Sequence, residues 1–392
     1  MLPFQFAATP HIHFGIGSRH RLPEILAPFG RRLLLVTGGR SFENSEHGQQ
    51  LLAALAEQFE IRQVRVAGEP SPTLVDAAVA DHRPFAPQMV LAIGGGSAID
   101  AGKAIAGLIA SGDSVLDYLE GVGRGKAYAG PSTPFIAIPT TAGTGGETSK
   151  NAVLSEIGPK GYKKSFRHEQ LVARAIVVDP ELTLSCPPEV TAACGMDALT
   201  QLIESYLSTG ANPMTDALAF SAIELMHAAL PRAVVDGGDL DARSRLCYAA
   251  SISGLTLANA GLGSVHGISS PLGAMFPIGH GIACGTLLAA TTAMNLTALT
   301  ARLPQSPALA KYAQLGRLLT GEPQAGEEDA HALLLRHLHT LTESLAMPRL
   351  GRFGIGEADI AAIVAGSRGN SMKSNPVVLR DDEIADILRI RL

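Results

Sequence analysis

Compact apolar runs alternate with helix-periodic stretches through the first half of the chain, and that alternation predicts a parallel sheet covered on both faces. Arg32 to Thr37, RLLLVT, closes on Gly38 and Gly39, the pattern of a buried strand entering a glycine turn. A helix pattern follows from about Ser45 to Phe59, then IRQVRVAG as a strand, then SPTLVDAAVADHR as a helix with a Ser/Pro start. Gln88 to Ile93 is a further buried strand and runs into GGGSAIDAGKAIAGLIA. The strand PFIAIP leads into a loop of small and hydroxyl residues, Thr140 to Thr148. At the start, FQFAA and HIHFGIG alternate with period two and predict a small antiparallel pair. After about Leu184 the apolar positions change to helical spacing, so residues 1–183 are expected to form an α/β domain and residues 184–392 an all-helical one.

Length supports the division, since 392 residues exceed the size at which a single core keeps growing. A net charge of -5 with no basic stripe disfavours nucleic acid. No apolar stretch reaches the length of a membrane span, and the first residues lack the basic start and apolar core of a leader. Cys186, Cys194, Cys247 and Cys284 show no CxxC spacing, which suggests reduced thiols and a cytoplasmic protein. Cys284, near His280, either lines a cleft or, as the plainer reading, is a buried, inert thiol.

The candidate chemistry lies at the strand ends and in two helical stretches. Gly94, Gly95, Gly96 and Ser97 stand between a strand and a helix, where unpaired amides and the helix dipole would hold a pyrophosphate. A tight structural turn would use the same glycines. Asp100 and Lys103 fall on the first turn of that helix, Lys103 as a phosphate contact or a surface pair. In the second loop, Thr140, Thr141 and Thr144 can donate to phosphate, ribose or amide without filling the space. Asp197 and Gln201 are four apart on a predicted helix and share a face. His266 and His280 are fourteen apart, so a turn broken through Pro271, Gly273 and Pro277 must bring them together if they act as a pair. These four could converge on a divalent cation. Alternatively, the histidines are hydrogen-bonded core residues and Asp197 complements a helix dipole.

The ordered motifs GGGSAIDAGKAIA, IPTTAGTGGETSKNAVLS, IVVDPELT, GMDALTQLIESYLS and GSVHGISSPLGAMFPIGHG resemble the iron-dependent alcohol dehydrogenase family, from Phe14 to the Asn375–Pro376 pair. The resemblance implies a Rossmann-like N-terminal domain holding NAD(P)(H), an all-α C-terminal domain of dehydroquinate synthase-like architecture, and a site in the cleft between them. Carried over by position, it places the cofactor on Gly95, Gly96, Ser97, Thr140, Thr141, Thr144, Asn151 and Lys163. It places the metal, Fe(II) with Zn as the alternative, on Asp197, Gln201, His266 and His280. The chain departs from the family at Gln201, where the commonest set has histidine, and at Ser270, where many members have another histidine. Ser270, a ribose hydroxyl or water would then relay the proton. After the first strand, Gly38, Gly39, Arg40 and Ser41 stand where NAD-preferring relatives tend to have an acid, which leans to NADP(H). The resemblance implies metal-assisted interconversion of an alcohol with an aldehyde or ketone, and a homodimer or larger assembly. A metal-free reductase resembling maleylacetate reductase and an NAD-dependent lyase resembling dehydroquinate synthase are the alternatives.

Overall fold

A computed structural model describes residues 3–158 and 161–392. The six-stranded sheet comprises β1 (His11–Phe14), β2 (Arg32–Thr37), β3 (Glu60–Arg65), β4 (Met89–Gly94), β5 (Phe135–Pro139) and β8 (Ala175–Val178), in the order β1-β8-β5-β4-β2-β3. Every pairing is parallel. Period-two alternation along these strands feeds two cores. Leu34, Val36, Val90 and Ala92 face one, while Leu33, Leu35, Leu91 and Ile93 face the other.

The helices of ten residues or more are numbered in chain order. In the first half they are α1 (Glu46–Ala56), α2 (Pro72–His82) and α3 (Gly96–Leu108). Ser45 and Ser71 cap α1 and α2 with their hydroxyls, as the sequence pattern requires. Helices α2 and α3 pack on one face of the sheet and α1 on the other.

Two expectations about the first half need correction. HIHF pairs in parallel with β8, His11 to Phe14 opposite Ala175 to Val178, and Phe4 to Ala8 forms no strand. The reason is competition: Ala7 donates its amide to Asn259 Oδ1 at 2.6 Å, and β8 offers β1 an open sheet edge. The sequence reading also missed an antiparallel hairpin, β6 (Asn151–Glu156) and β7 (Tyr162–Arg167), which stands apart from the main sheet. Its mostly polar sequence hides a strand pattern whose buried side is only Ala152, Leu154 and Phe166.

From Pro188 onward all regular structure is helical: α4 (Pro188–Leu207), α5 (Pro213–Met226), α6 (Leu240–Ala260), α7 (Ser264–Met275), α8 (His280–Arg302), α9 (Pro307–Thr320), α10 (Glu327–Ser344) and α11 (Asp381–Ile390). Most side chains of α4 are buried, as expected of a helix enclosed by α5, α6 and α8. Helix α8 is long and apolar enough to cross a membrane, but 72% of its most apolar window is inside this fold.

The stretch between His266 and His280 also differs from expectation. Pro271 lies within α7 and Gly273 continues it, so the break is confined to residues 276–279. The Pro271 ring packs against Gly366, where a side chain would leave no room for it.

The helical half meets the sheet's strand ends through close backbone contacts. A Cβ on Gly254 would stand 2.0 Å from the Gly145 carbonyl oxygen, and one on Gly143 would stand 2.8 Å from Cys194 Cβ. Thr148 Oγ1 donates to the Ser251 carbonyl at 2.8 Å, and Ser251 Oγ donates to Glu147 at 2.9 Å. The threonine loop is therefore pinned to α4 and α6.

Candidate active site

Three loops leave adjacent strands β2, β4 and β5 at their carboxyl ends and lie side by side. The chain reverses direction across the sheet between β2 and β4, which is where open α/β sheets bind ligands. Gly94, at φ +158°, passes Gly38 so closely that a Cβ would stand 3.2 Å from the Gly38 nitrogen. Gly96 opens α3, and a Cβ there would come within 2.7 Å of Thr144. Gly95 sits against Thr141 in the same way. Thus the two loops expected to hold a cofactor are one surface, with Gly95, Gly96, Ser97, Thr140, Thr141 and Thr144 all partly accessible. Gly38 and Gly39 have open space where a side chain would be.

Lys103 has a different role from either sequence reading. It is fully buried and donates to the carbonyls of Gly146, Ser149 and Asn151 at 2.5, 2.8 and 2.8 Å. The ammonium thereby ties α3 to the threonine loop and to the start of β6. Asn151 accordingly has its backbone fixed beside the cleft, with its side chain half-buried. Burial raises the Asp100 carboxyl to about 7, against the pull of Lys103 and Lys163 and with Glu69 adding to the rise. Lys163, on β7, pairs with Glu69 at 2.9 Å. Its charge acts on both Asp100 and His280, so the hairpin links the cofactor loops to the helical half.

In that half, Asp197 on α4, His266 on α7 and His280 at the start of α8 converge. His266 Nε2 is 3.4 Å and His280 Nε2 is 3.7 Å from Asp197 Oδ1. The imidazole centroids are 5.4 Å apart. Two features of the sequence bring this about. Gly281 and Gly285 let α8 approach α4, because a Cβ on either would meet the Ala193 carbonyl oxygen at 2.4 Å or Met196 Cβ at 2.8 Å. Glu204, two turns from Asp197 on α4, anchors the start of α7 by accepting from the amides of Gly263 and Val265 and from His266 Nδ1 at 2.9, 2.6 and 2.7 Å. That last bond fixes the ring so that His266 Nε2 faces Asp197.

Glu204 was not singled out from the sequence, although its spacing of seven from Asp197 places it on the same helix face. The Asn375 of the terminal NP pair completes the same anchor, accepting from the Ser264 amide and hydroxyl. Ser270 is one turn beyond His266 and partly exposed.

Gln201 is buried on α4, and its Oε1 accepts from Ser253 Oγ at 2.6 Å. Cys284 is the unexpected member. It is buried as anticipated, yet its Sγ is 3.7 Å from His266 Nε2 and 3.8 Å from His280 Nε2. One donor atom from each of Asp197, His266, His280 and Cys284 lies within 4.8 Å of all the others.

The electrostatics of the cluster follow from its composition. Burial alone would raise the Asp197 carboxyl, but His280 and His266 outweigh it and bring it down to about 2. Burial opposes charging of both imidazoles, yet Cys284 and Asp197 raise both, His266 especially. The pocket thus favours positive charge. Among the described residues, Asp197 Oδ1 is buried without a hydrogen-bond donor and His280 Nδ1 without a partner. A divalent cation fits such a set, because ligand bonds of about 2.0–2.3 Å in tetrahedral arrangement put donors about 3.3–3.8 Å apart. The separations of the two imidazole nitrogens from Asp197 Oδ1 and from Cys284 Sγ fall in that range.

Comparison with known proteins agrees with both halves. Residues 9–180 match the family profile described as iron-containing alcohol dehydrogenase, and residues 191–392 match that of the Fe-containing alcohol dehydrogenase family C-terminal region. The NAD-dependent methanol dehydrogenase of Bacillus methanolicus is 34% identical over 325 residues, 82% of this chain and 81% of its own. Long-chain-alcohol dehydrogenase 1 of Geobacillus thermodenitrificans is 33% identical over 358 residues, covering 90% of this chain and 87% of its own. Among solved structures, a 1,3-propanediol oxidoreductase superposes over 100% of both chains with a TM-score of 0.90 at 29% identity.

Proposed function

The chain belongs to the iron-containing alcohol dehydrogenase family, and from that premise we propose that it moves a hydride reversibly between NAD(P)(H) and a small alcohol/aldehyde or alcohol/ketone pair. The observation that carries this reading is the convergence of Asp197, His266 and His280 beside Lys163, whose charge also reaches the cofactor-loop residue Asp100. A divalent cation held there, Fe(II) by family implication and Zn(II) as the alternative, supplies a Lewis acid for the substrate oxygen.

The residues of the chain do the remaining work. Gly95, Gly96 and Ser97 bring the pyrophosphate to the α3 amino end, and Thr140, Thr141 and Thr144 donate to the cofactor from the adjoining loop. Lys163 and Asn151, on the hairpin, face the nicotinamide ribose. Lys103 keeps these parts in register without touching the cofactor. Reduction of a carbonyl takes a hydride at carbon and a proton at oxygen. Ser270, together with a ribose hydroxyl, passes that proton in from solvent.

The tip of β2 bears on cofactor preference. Gly38 and Gly39 carry no carboxylate, and Arg40 is exposed beside them. The structure adds Glu43, which folds back onto Thr37 but is engaged by Arg65 and Gln63. These features support NADP(H) over NAD(H). The free thiols of all four cysteines support a reducing, cytoplasmic setting, and the family resemblance supports a homodimer or larger assembly.

Gln201 favours one second reading, a reductase of this fold acting without metal, because an amide is a weaker donor than the imidazole of the family's commonest set. A panel of small aldehydes and ketones with NADPH and NADH tests the function. One oxidised cofactor per alcohol formed is expected, with the higher kcat/KM for NADPH. Cofactor binding with no net oxidation across the panel would overturn it, since a lyase that borrows its cofactor shows that behaviour.

A further inference from the structure

We propose that the Cys284 thiolate, not the Gln201 amide, is the fourth protein donor to the metal, and that the site therefore favours zinc over iron. The inference rests on the metal-dependent reading above and goes beyond it, since neither family position nor spacing marks Cys284 as a ligand.

Five observations support it. Cys284 Sγ faces both metal-directed imidazole nitrogens, at 3.7 and 3.8 Å, and is buried along with His266, while His280 is partly exposed. Cys284 is one helical turn beyond His280, so α8 projects both from one face. Asp197 Oδ1, 1% exposed at the residue level, has no donor among the described residues and is aimed into the same space. Gln201 Oε1, by contrast, already accepts a 2.6 Å bond from Ser253 Oγ, whose hydroxyl sits on α6 behind it. The glycines on either side of the thiol, Gly281 and Gly285, bring this face of α8 against α4 at the level of Met196 and Asp197.

The chemical consequence is a set of two imidazoles, one carboxylate and one thiolate. The thiol gives its proton to solvent as the metal–sulfur bond forms, so the two anionic donors balance a divalent ion. A set of one carboxylate and three imidazoles would leave one positive charge. A soft sulfur donor shifts preference towards zinc, reversing the order implied by the family. The Lewis acid is then milder, and Gln201 with Ser253 becomes the wall behind the metal rather than part of its shell.

The test reads the coordination shell in the full-length enzyme and does not depend on turnover. X-ray absorption at the zinc edge of zinc-loaded protein is expected to show one sulfur at about 2.3 Å. Cobalt-loaded protein is expected to show a thiolate-to-metal charge-transfer band. Both signals should vanish in Cys284→Ser and persist in Gln201→Ala, and chelator competition should give Cys284→Ser about 100-fold weaker zinc binding or worse. A shell of nitrogen and oxygen alone in the wild type overturns the proposal, and this decides the matter even if a variant fails to fold. The family reading fails separately: a sulfur shell in a protein inactive on every alcohol and aldehyde would uphold the ligand and sink the function.

Discussion

Glu204 carries more of the site than its absence from any motif suggests. One carboxylate orients His266 and satisfies two amides at the start of α7, a helix with no side-chain cap of its own from Gly263. Glu204→Gln would set an amide against three donors. It is expected to cost about 2–3 kcal/mol of stability and to weaken metal binding about 10–100-fold, read by thermal unfolding and chelator competition. Unchanged metal affinity would separate Glu204 from the site. Asp100 offers a test by pH. Its folded pKa, about 7, exceeds the ordinary 3.8, so the folded chain holds its proton longer than the unfolded one. The resulting penalty is absent below about pH 4, grows as pH rises between the two values, and is complete above 7. Asp100→Asn should therefore raise the melting temperature at pH 8 and leave it unchanged at pH 4. An equal shift at both would refute the assignment.

At the scale of elements, small residues decide how near the helices come. Gly281 and Gly285 are spaced by four on α8 and face α4 across a gap with no room for a methyl group. Gly281→Ala drives a Cβ towards the Ala193 carbonyl, which belongs to helix backbone and yields little. A loss of about 1–3 kcal/mol is expected, together with weaker metal binding, because His280 and Cys284 move with α8. Retained metal affinity with full stability would show that the close approach is not what sets the cluster. The buried strands were readable because each is a short apolar run closed by glycine or hydroxyl residues, and both faces are covered. β1 and the hairpin β6–β7 were not, since their pairing is settled by partners distant in sequence: β8 for the first, and Lys103, Pro70 and α7 for the second.

For the whole molecule, the division into a parallel-sheet half and a helical half was legible. Asp197, His266 and His280 meet as their spacing and family positions implied. The share of Cys284 was hidden, because nothing in HGIACG distinguishes a thiol that packs from one that ligates; only the fold of α8 against α4 does. Lys103 was misread for a related reason: it lies in the third turn of α3, not the first, and looks exposed until the threonine loop closes over it. The central claim is that the cation site and the nucleotide surface act together on one carbonyl group. The direct measurement is NADPH oxidation by a reactive aldehyde, with protein as purified, after chelation verified metal-free by elemental analysis, and after zinc or Fe(II) is restored. A fall of at least about 100-fold on stripping, reversed on reloading, is predicted; full activity in verified metal-free protein would contradict it.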